Sequence, residues 1–102
     1  MISGFYKLVD GKPVKGTIME YARFVSSDER LVKQTTVNDI LISTVFLGIA
    51  NGLSGGKPLL WETMIFRGGR GCELVRATSK KKALRNHYLM KGQLLRVLKR
   101  GH

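Results

Sequence analysis

ILISTVFLGI, residues 40–49, is the stretch of sequence that decides the fold. It is the longest strongly apolar run of the chain, and it is rich in β-branched residues, which favour extended backbone. Residues 30–37 are also β-leaning, and Asn38 and Asp39 between the two runs are typical of a tight turn. The sequence therefore predicts a hairpin. At ten residues the apolar run is too short to span a bilayer.

A further strand is predicted at residues 59–66, after a glycine-rich loop at 51–57. Its alternation places Leu60, Glu62, Met64 and Phe66 on one face, and Leu59, Trp61, Thr63 and Ile65 on the other. Because both faces are largely apolar, we expect Trp61 to be buried and the strand to be covered on each side, by a helix or a second subunit. A turn at 68–71 leads into a shorter strand at 72–77.

The N-terminal part predicts a strand at residues 4–9, ended by the Asp10-Gly11 turn signal. Thr17 and Glu20 have the spacing of a capping box, so a helix should follow at 18–25. A long final helix is predicted at 80–99, capped by Thr78 or Ser79. The expected fold is a single α+β domain over residues 1–102, with a small antiparallel sheet of three to five strands. A short N-terminal helix and a long basic C-terminal helix pack on this sheet.

The charge of the chain is concentrated in its C-terminal third. Residues 67–102 carry 11 Lys and Arg against the single acid Glu73, whereas residues 1–66 carry seven against six, within a total of +11. A near-neutral body with a basic C-terminal segment indicates a folded platform that presents a polyanion-binding element. The polyanion can be nucleic acid, an acidic protein groove or an anionic membrane.

On a helical wheel the last helix is amphipathic, with a cationic stripe centred on Arg85. Within about 60° of Arg85 lie Lys81, Lys82, Arg96, Lys99 and Arg100. Lys80, in the first turn, is also predicted to bind nucleic acid. The apolar residues Leu84, Tyr88, Leu94, Leu95 and Leu98 lie on other parts of the wheel, mostly opposite. Three lysines in the first turn oppose the helix dipole, which favours a functional use of the charge. The alternatives are a solvated surface and a protein partner, and membrane binding is disfavoured because the core needs the apolar face.

The turn between the last two strands contains Arg67 and Arg70 in the order Arg-Gly-Gly-Arg-Gly. Arginine can bridge phosphates and stack on bases, and glycine permits close approach, so these two arginines join the predicted nucleic-acid-binding residues. The alternative is a hairpin turn with exposed arginines. The turn adjoins the basic helix in sequence, which strengthens the first interpretation.

No residue pattern predicts a reaction. His87 is expected to be a partly buried structural residue, and Cys72 has no orienting group that would make it a nucleophile with His87. One Cys and two His do not have a zinc spacing. The glycine-rich segment 51–57 lacks the spacing of a phosphate-binding loop. We therefore expect no catalytic residues, no metal, no cofactor and no enzymatic activity.

Residues 36–48 and 58–66 resemble a group of small phage and prophage proteins, and the opening residues 5–8 and 12–14 fit the same group. The resemblance covers about two thirds of the chain and implies no established biochemical role. This chain departs from the group at Ala50-Asn51, where an Asp-His pair is common, and at Lys80–Lys82, where the final helix tends to be acidic. The resemblance implies a shared sheet with a basic helix particular to this member.

Taken together, the sequence predicts a small, non-enzymatic phage-type protein that binds nucleic acid or a nucleoprotein through its basic helix. The alternative is an anti-defence or host-takeover inhibitor, similar in role to an anti-CRISPR protein, that binds a host defence protein. A single cysteine, and an N-terminus without the pattern of a secretion signal, predict a cytoplasmic location, in the host cell if the protein is phage-encoded. A membrane partner is not expected, and a dimer is possible.

Overall fold

The structure, a computed structural model, describes residues 4–50 and 52–100. Its elements are β1 Tyr6–Val9, β2 Lys12–Lys15, α1 Ile18–Val25, a 3₁₀ turn Asp28–Arg30, β3 Leu31–Val37, β4 Ile40–Phe46, β5 Leu53–Ser54, β6 Lys57–Pro58, β7 Trp61–Arg67, β8 Arg70–Ala77 and α2 Lys80–Arg100. The predicted α+β fold, with a short N-terminal and a long C-terminal helix, is confirmed. The two helices match the predicted boundaries to within one residue.

Four antiparallel strands form the main sheet, in the order β3-β4-β7-β8. Each strand follows its neighbour through a short connection or the small β5–β6 hairpin, so the sheet is a meander. The segment 40–49 supplies β4, which is central and pairs with β3 and β7 along its full length. At one end Ile40 pairs with Arg67, and at the other end Phe46 pairs with Trp61. The positions of α2 and of the 67–70 turn can be given relative to these two ends of the sheet.

Helix α2 crosses one face of this sheet diagonally. It begins at the Phe46–Trp61 end, where the Ser79 Oγ caps it by accepting a hydrogen bond from the Lys82 backbone N–H at 3.1 Å. Ala83, His87 and Met90 are buried against the strands. Leu95 and Leu98 lie beside Val37 and Asn38 at the opposite end of β3. The helix therefore passes from the β8 edge of the sheet to the β3 edge.

An aromatic cluster fills the core where α1 meets the sheet. The ring of Phe46 lies 5.4 Å from Phe24 of α1 and 5.0 Å from Trp61, centre to centre. Trp61 is 2% exposed, which confirms its predicted burial. The Nε1 of Trp61 has no hydrogen-bond acceptor among the described residues. A buried donor without a partner reduces stability by about 1–3 kcal/mol, so the shape of the indole, and not its N–H, favours tryptophan here.

Local signals in the N-terminal part also form as predicted. Thr17 and Glu20 make both hydrogen bonds of the capping box at the start of α1. Asp10 and Gly11 form the predicted turn with positive φ angles of 52° and 77°. The sequence does not predict β2, because Pro13 disfavours a strand in which every backbone N–H must be paired. A proline is tolerated there because β1 and β2 form a two-stranded sheet in which each strand is an edge.

Two other sequence expectations need correction. The segment 51–57 is not loop throughout, because Leu53–Ser54 and Lys57–Pro58 pair as a small hairpin; Asn51 lies outside the described residues. The second face of β7 is also not covered by a helix, since no described element packs on it, and its coverage by a second subunit stays a prediction. We call this side of the sheet the open sheet face; its apolar residues are Leu41, Val45, Leu47, Met64, Phe66 and Leu74.

Candidate nucleic-acid interface

The side of α2 that points away from the sheet is strongly basic. We define the basic helix face as the exposed cations of α2, which are Lys80, Lys81, Lys82, Arg85, Arg96 and Lys99. The residues that contact the sheet, Ala83, His87 and Met90, lie on the opposite side of the helix from five of these cations. Lys80, seven residues before His87, is on the same side as His87 but is exposed at the first position of the helix. Arg100 ends α2, and its side chain lies outside the described part of the structure. The predicted stripe thus faces solvent along nearly the whole helix.

None of the basic helix face cations has a carboxylate partner among the described side chains. The ion pairs within those residues are Lys7 with Glu20 and Arg76 with Glu62, the latter at 3.1 Å. The first turn of α2 contains no acid to balance its three lysines. Like charges this close repel one another and oppose the helix dipole, and this unfavourable energy is relieved when an anion binds.

The basic helix face divides into two clusters along the helix axis. Lys80, Lys81, Lys82 and Arg85 occupy the first two turns, whereas Arg96 and Lys99 occupy the last two. Arg85 and Arg96 are 11 residues apart, which is about 16 Å at the rise of an α-helix. That separation is on the scale of the major groove of duplex DNA, which is about 12 Å wide. One rigid helix can therefore contact phosphates on both sides of a groove.

The turn with Arg67 and Arg70 lies close to the second cluster in the fold, not to the first. Gly68 and Gly69 form a two-residue hairpin turn with φ angles of 58° and 79°, so the hairpin alternative describes the turn's geometry correctly. The eight residues of β8 separate this turn from the start of α2 by about 26 Å. The turn is therefore next to Lys80–Lys82 in sequence but not in space.

Register shows where the two arginines of the turn point. Arg67 follows Trp61, Thr63 and Ile65 on alternate positions of β7, so it projects from the face that α2 covers. Arg70 is its register partner and projects from the same face. Arg67 also pairs with Ile40, beside the β3 end where Leu98 and Lys99 lie. The turn therefore extends the second cluster of the basic helix face sideways across the sheet.

A buried chain of hydrogen bonds fixes α2 on the sheet. His87 is 0% exposed, which is a deeper burial than the sequence predicted. Its Nε2 lies 2.8 Å from Thr35 Oγ1, and its Nδ1 lies 2.8 Å from Thr44 Oγ1. Thr44 Oγ1 lies 2.7 Å from Thr63 Oγ1, and the Thr63 hydroxyl donates to the carbonyl oxygen of Ala83 at 3.3 Å. The chain joins three strands to the helix.

Only one direction of donation satisfies every member of this chain. Since the Thr63 hydroxyl donates to Ala83, it must accept from Thr44, and Thr44 must accept from the imidazole Nδ1–H. In the neutral imidazole the Nε2 then accepts a hydrogen bond from the Thr35 hydroxyl. Burial, together with the positive charges of Lys33 and Lys91, holds the pKa of His87 below its usual 6.5. Both ring nitrogens are used structurally, and neither is free for chemistry or a metal.

The other residues that could take part in chemistry do not form a common site. Cys72 is exposed in β8, where its Sγ contacts the Arg70 carbonyl oxygen at 3.5 Å. Glu62 is held by Arg76. Among residues 4–50 and 52–100 there is no cluster of three His, Cys, Asp or Glu side chains that could hold a metal ion. The structure does not bring Cys72 and His87 together as a nucleophile pair.

Two apolar residues of α2 are less buried than the helical wheel predicted. Tyr88 and Leu95 are 53% and 46% exposed, because they lie at the side of the helix and not over the strands. The Tyr88 ring is partly covered by Lys33 of β3, whose ammonium lies 5.6 Å from the ring centre. Sequence reasoning missed Lys33 as a neighbour of the basic helix face. Its position on β3 is visible only once the helix is placed on the sheet.

Comparison with known proteins gives no relative for this chain: no family model, no curated protein and no solved structure matches it. The resemblance to small phage and prophage proteins therefore stays a prediction. In the part of the chain that the structure describes, neither helix combines the length and apolar character needed to cross a membrane.

Proposed function

We propose that this protein binds nucleic acid through the basic helix face of α2, with Arg67 and Arg70 as additional phosphate contacts. The observation that carries the proposal is a set of five exposed cations on one side of α2, with Lys80 at the first position of the helix, none of which has a carboxylate partner among the described side chains. Phosphate binding needs cations at fixed spacing more than it needs shaped pockets. The helix itself fixes the spacing of its cations, and the buried hydrogen bonds of His87 to Thr35 and Thr44 fix the helix on β3 and β4.

A non-enzymatic role agrees with this proposal. The imidazole of His87 is committed to Thr35 and Thr44, and the Cys72 thiol, which is not in contact with His87, has only a backbone contact. The function is then carried by a surface and not by a reaction centre. In a phage-type protein such a surface would act on free nucleic acid or on a nucleoprotein.

The proposal is tested by reversing charge on the helix. Replacing Lys81, Arg85 and Arg96 by Glu should abolish binding of a labelled 25-base-pair duplex, measured by fluorescence anisotropy. These side chains are exposed, so the circular dichroism spectrum should stay unchanged. Two double variants with the same change in net charge show whether the position of the charge matters. Arg85→Glu with Arg96→Glu, on α2, should weaken binding strongly. Lys12→Glu with Lys15→Glu, on β2, should not.

Salt dependence provides a second measurement on the same samples. Five phosphate contacts in the wild-type chain imply a slope of log Kd against log salt of about 5 on duplex DNA. An affinity that does not change between low and moderate salt would contradict the electrostatic proposal.

The alternative, an inhibitor of a host protein, makes the opposite prediction for the triple variant. Its contacts would lie on the sheet, so reversal of the helix charges would leave its activity intact. The burial of Trp61 removes the aromatic residue best suited to anchor such a partner, since Trp is enriched at binding hot spots. For that reason we place nucleic-acid binding first.

A further inference from the structure

The open sheet face is an apolar surface that no described element covers. Both α1 and α2 pack on the other face, where Phe24 and Ala83 join the core. The open side carries a shallow groove of about 530 Å³, lined mainly by Leu41, Val45, Leu47, Met64 and Phe66. Leu74 extends it toward the β8 edge and is 45% exposed. Large exposed apolar patches on soluble domains mark interaction sites.

Four of the polar side chains on this face are already paired within the chain. Gln34 Nε2 donates weakly to Ser43 Oγ at 3.5 Å, and Glu62 accepts from Arg76 at 3.1 Å. Such a face offers few free donors or acceptors to fix a small polar ligand, and it has no cationic excess for phosphates. Its apolar strands fit another apolar sheet face, as in the two layers of a β-sandwich.

The distribution of charge over the chain favours a second copy of the same chain as the partner of this face. The whole chain carries +11, so two copies repel one another across most orientations. On the open sheet face, however, Arg30 and Arg76 are balanced by Asp39 and Glu62. Pairing through this neutral face places the two basic helix faces on opposite outer sides, where their repulsion is smallest.

We propose that two copies of this chain pair through their open sheet faces, about a two-fold axis perpendicular to the strands. Arg30 precedes β3 and Asp39 follows it, so the two charges lie at opposite ends of this edge strand and both line the groove. An axis perpendicular to the strands sets β3 antiparallel over its own copy, which brings Arg30 of each chain to Asp39 of the other. An axis parallel to the strands would instead place Arg30 near the other copy's Arg76, since both lie at the same end.

The size of the face sets the expected affinity. Strands of seven residues are about 23 Å long, and four strands at about 4.8 Å spacing are about 19 Å wide. Such an area is at the low end for stable protein interfaces, so we expect a micromolar dissociation constant. The assembly must therefore be measured at tens to hundreds of micromolar protein.

The test is sedimentation equilibrium on the nuclease-treated, full-length chain at 5–200 μM in 0.3 M NaCl. We expect the mass to approach twice the 11.4 kDa of one chain. Met64→Lys, at the centre of the open sheet face, should weaken the dimer at least tenfold. Leu53→Lys is the matched control, because Leu53 is 68% exposed away from this face, and it should change nothing. A chain that stays monomeric at 200 μM overturns the proposal, and so does a dimer that Met64→Lys leaves intact.

Fluorescence of Trp61 reports folding independently, since Trp61 lies under the helices on the covered face. If Met64→Lys fails to fold, charge exchange at the exposed rim provides the second test. Arg30→Asp and Asp39→Arg should each weaken the dimer several-fold, and the double variant should restore it. A double variant as weak as the single ones would overturn the assigned axis.

The dimer proposal and the nucleic-acid proposal can be disproved independently of each other. Reversing Lys81, Arg85 and Arg96 to Glu changes only the outer side of α2, so the dimer should persist when nucleic-acid binding is lost. A dimer that dissociates in that variant would contradict pairing through the open sheet face.

Discussion

The inner and the outer side of α2 differ in almost every physical respect. On the inner side, Ala83 and His87 are completely buried, and the imidazole has a hydrogen-bond partner on both nitrogens. On the outer side, Lys81, Arg85 and Arg96 are exposed and have no carboxylate partner among the described residues. The inner side fixes the helix on the sheet, and the outer side adds charge without stabilising the fold. Stability and binding should therefore respond to different substitutions.

The largest loss of stability is expected when the Trp61 indole, which belongs to the same core cluster as Ala83 of α2, is removed. Trp61→Ala should reduce the free energy of unfolding by about 3–5 kcal/mol, because it opens a cavity beside Phe46 and Ala77. A loss of that size is a large part of the stability of a small domain. Urea unfolding followed by circular dichroism measures it.

Trp61→Phe refines the same test. Phenylalanine keeps most of the apolar volume and removes the indole N–H that lacks an acceptor among the described residues, so the loss should be well below that of Trp61→Ala. Leu53→Ala is the control on an exposed strand and should stay within about 0.5 kcal/mol of the wild type. Equal losses for Trp61→Ala and Leu53→Ala would show that the core is not where the structure places it.

The buried imidazole predicts a pH dependence of stability. Since the pKa of His87 in the folded protein lies below its usual 6.5, the unfolded chain binds a proton first as the pH falls. His87 therefore has no effect on stability well above pH 6.5 and lowers it as the pH falls below that value. The slope for one proton is at most about 1.4 kcal/mol per pH unit. Urea unfolding at intervals between pH 7.5 and 5.5 measures this slope.

His87→Gln is the control for that measurement. It should be less stable than the wild type at pH 7.5, because the bonds to Thr35 and Thr44 are disturbed, but its stability should change little between pH 7.5 and 5.5. A wild-type chain whose stability rises as the pH falls through this range would be incompatible with a buried neutral His87.

The sequence predicted those features that depend on near neighbours. The alternation of β7 correctly separated Trp61 and Thr63 from Glu62 and Met64, because successive side chains of a strand point to opposite faces. The capping box at Thr17 formed because its two partners are three residues apart. The cationic stripe of α2 is exposed as predicted, since charged side chains are rarely buried without a partner.

Features that depend on distant residues could not be predicted. Thr35 and Thr44 are 52 and 43 residues from His87, and no local pattern joins them. A helical wheel also assumes that a partner covers the helix along its whole length. The 21 residues of α2 extend about 31 Å, whereas the sheet is about 19 Å wide. Tyr88 and Leu95 are exposed because they lie at the side of the helix, whereas only its inner side, with His87, faces the strands.

The smallest expected effect lies on the outer side of α2, at Gly92. Glycine within a helix is less stable than alanine by about 0.8–1 kcal/mol, and a Cβ at position 92 would meet only the Arg96 Nη1, at an ordinary 3.8 Å. Gly92→Ala should therefore stabilise the fold by about that amount in urea unfolding.

The same variant shows whether charge or shape determines binding by the outer side. Gly92 lies between the two clusters of the basic helix face and contributes no charge, so Gly92→Ala should leave the affinity for duplex DNA and its salt slope unchanged. Phosphate contacts through Lys81, Arg85 and Arg96 do not require close approach of the helix backbone. A marked loss of affinity with unchanged folding would mean that nucleic acid contacts the helix backbone at Gly92, and that the outer side is fitted in shape as well as in charge.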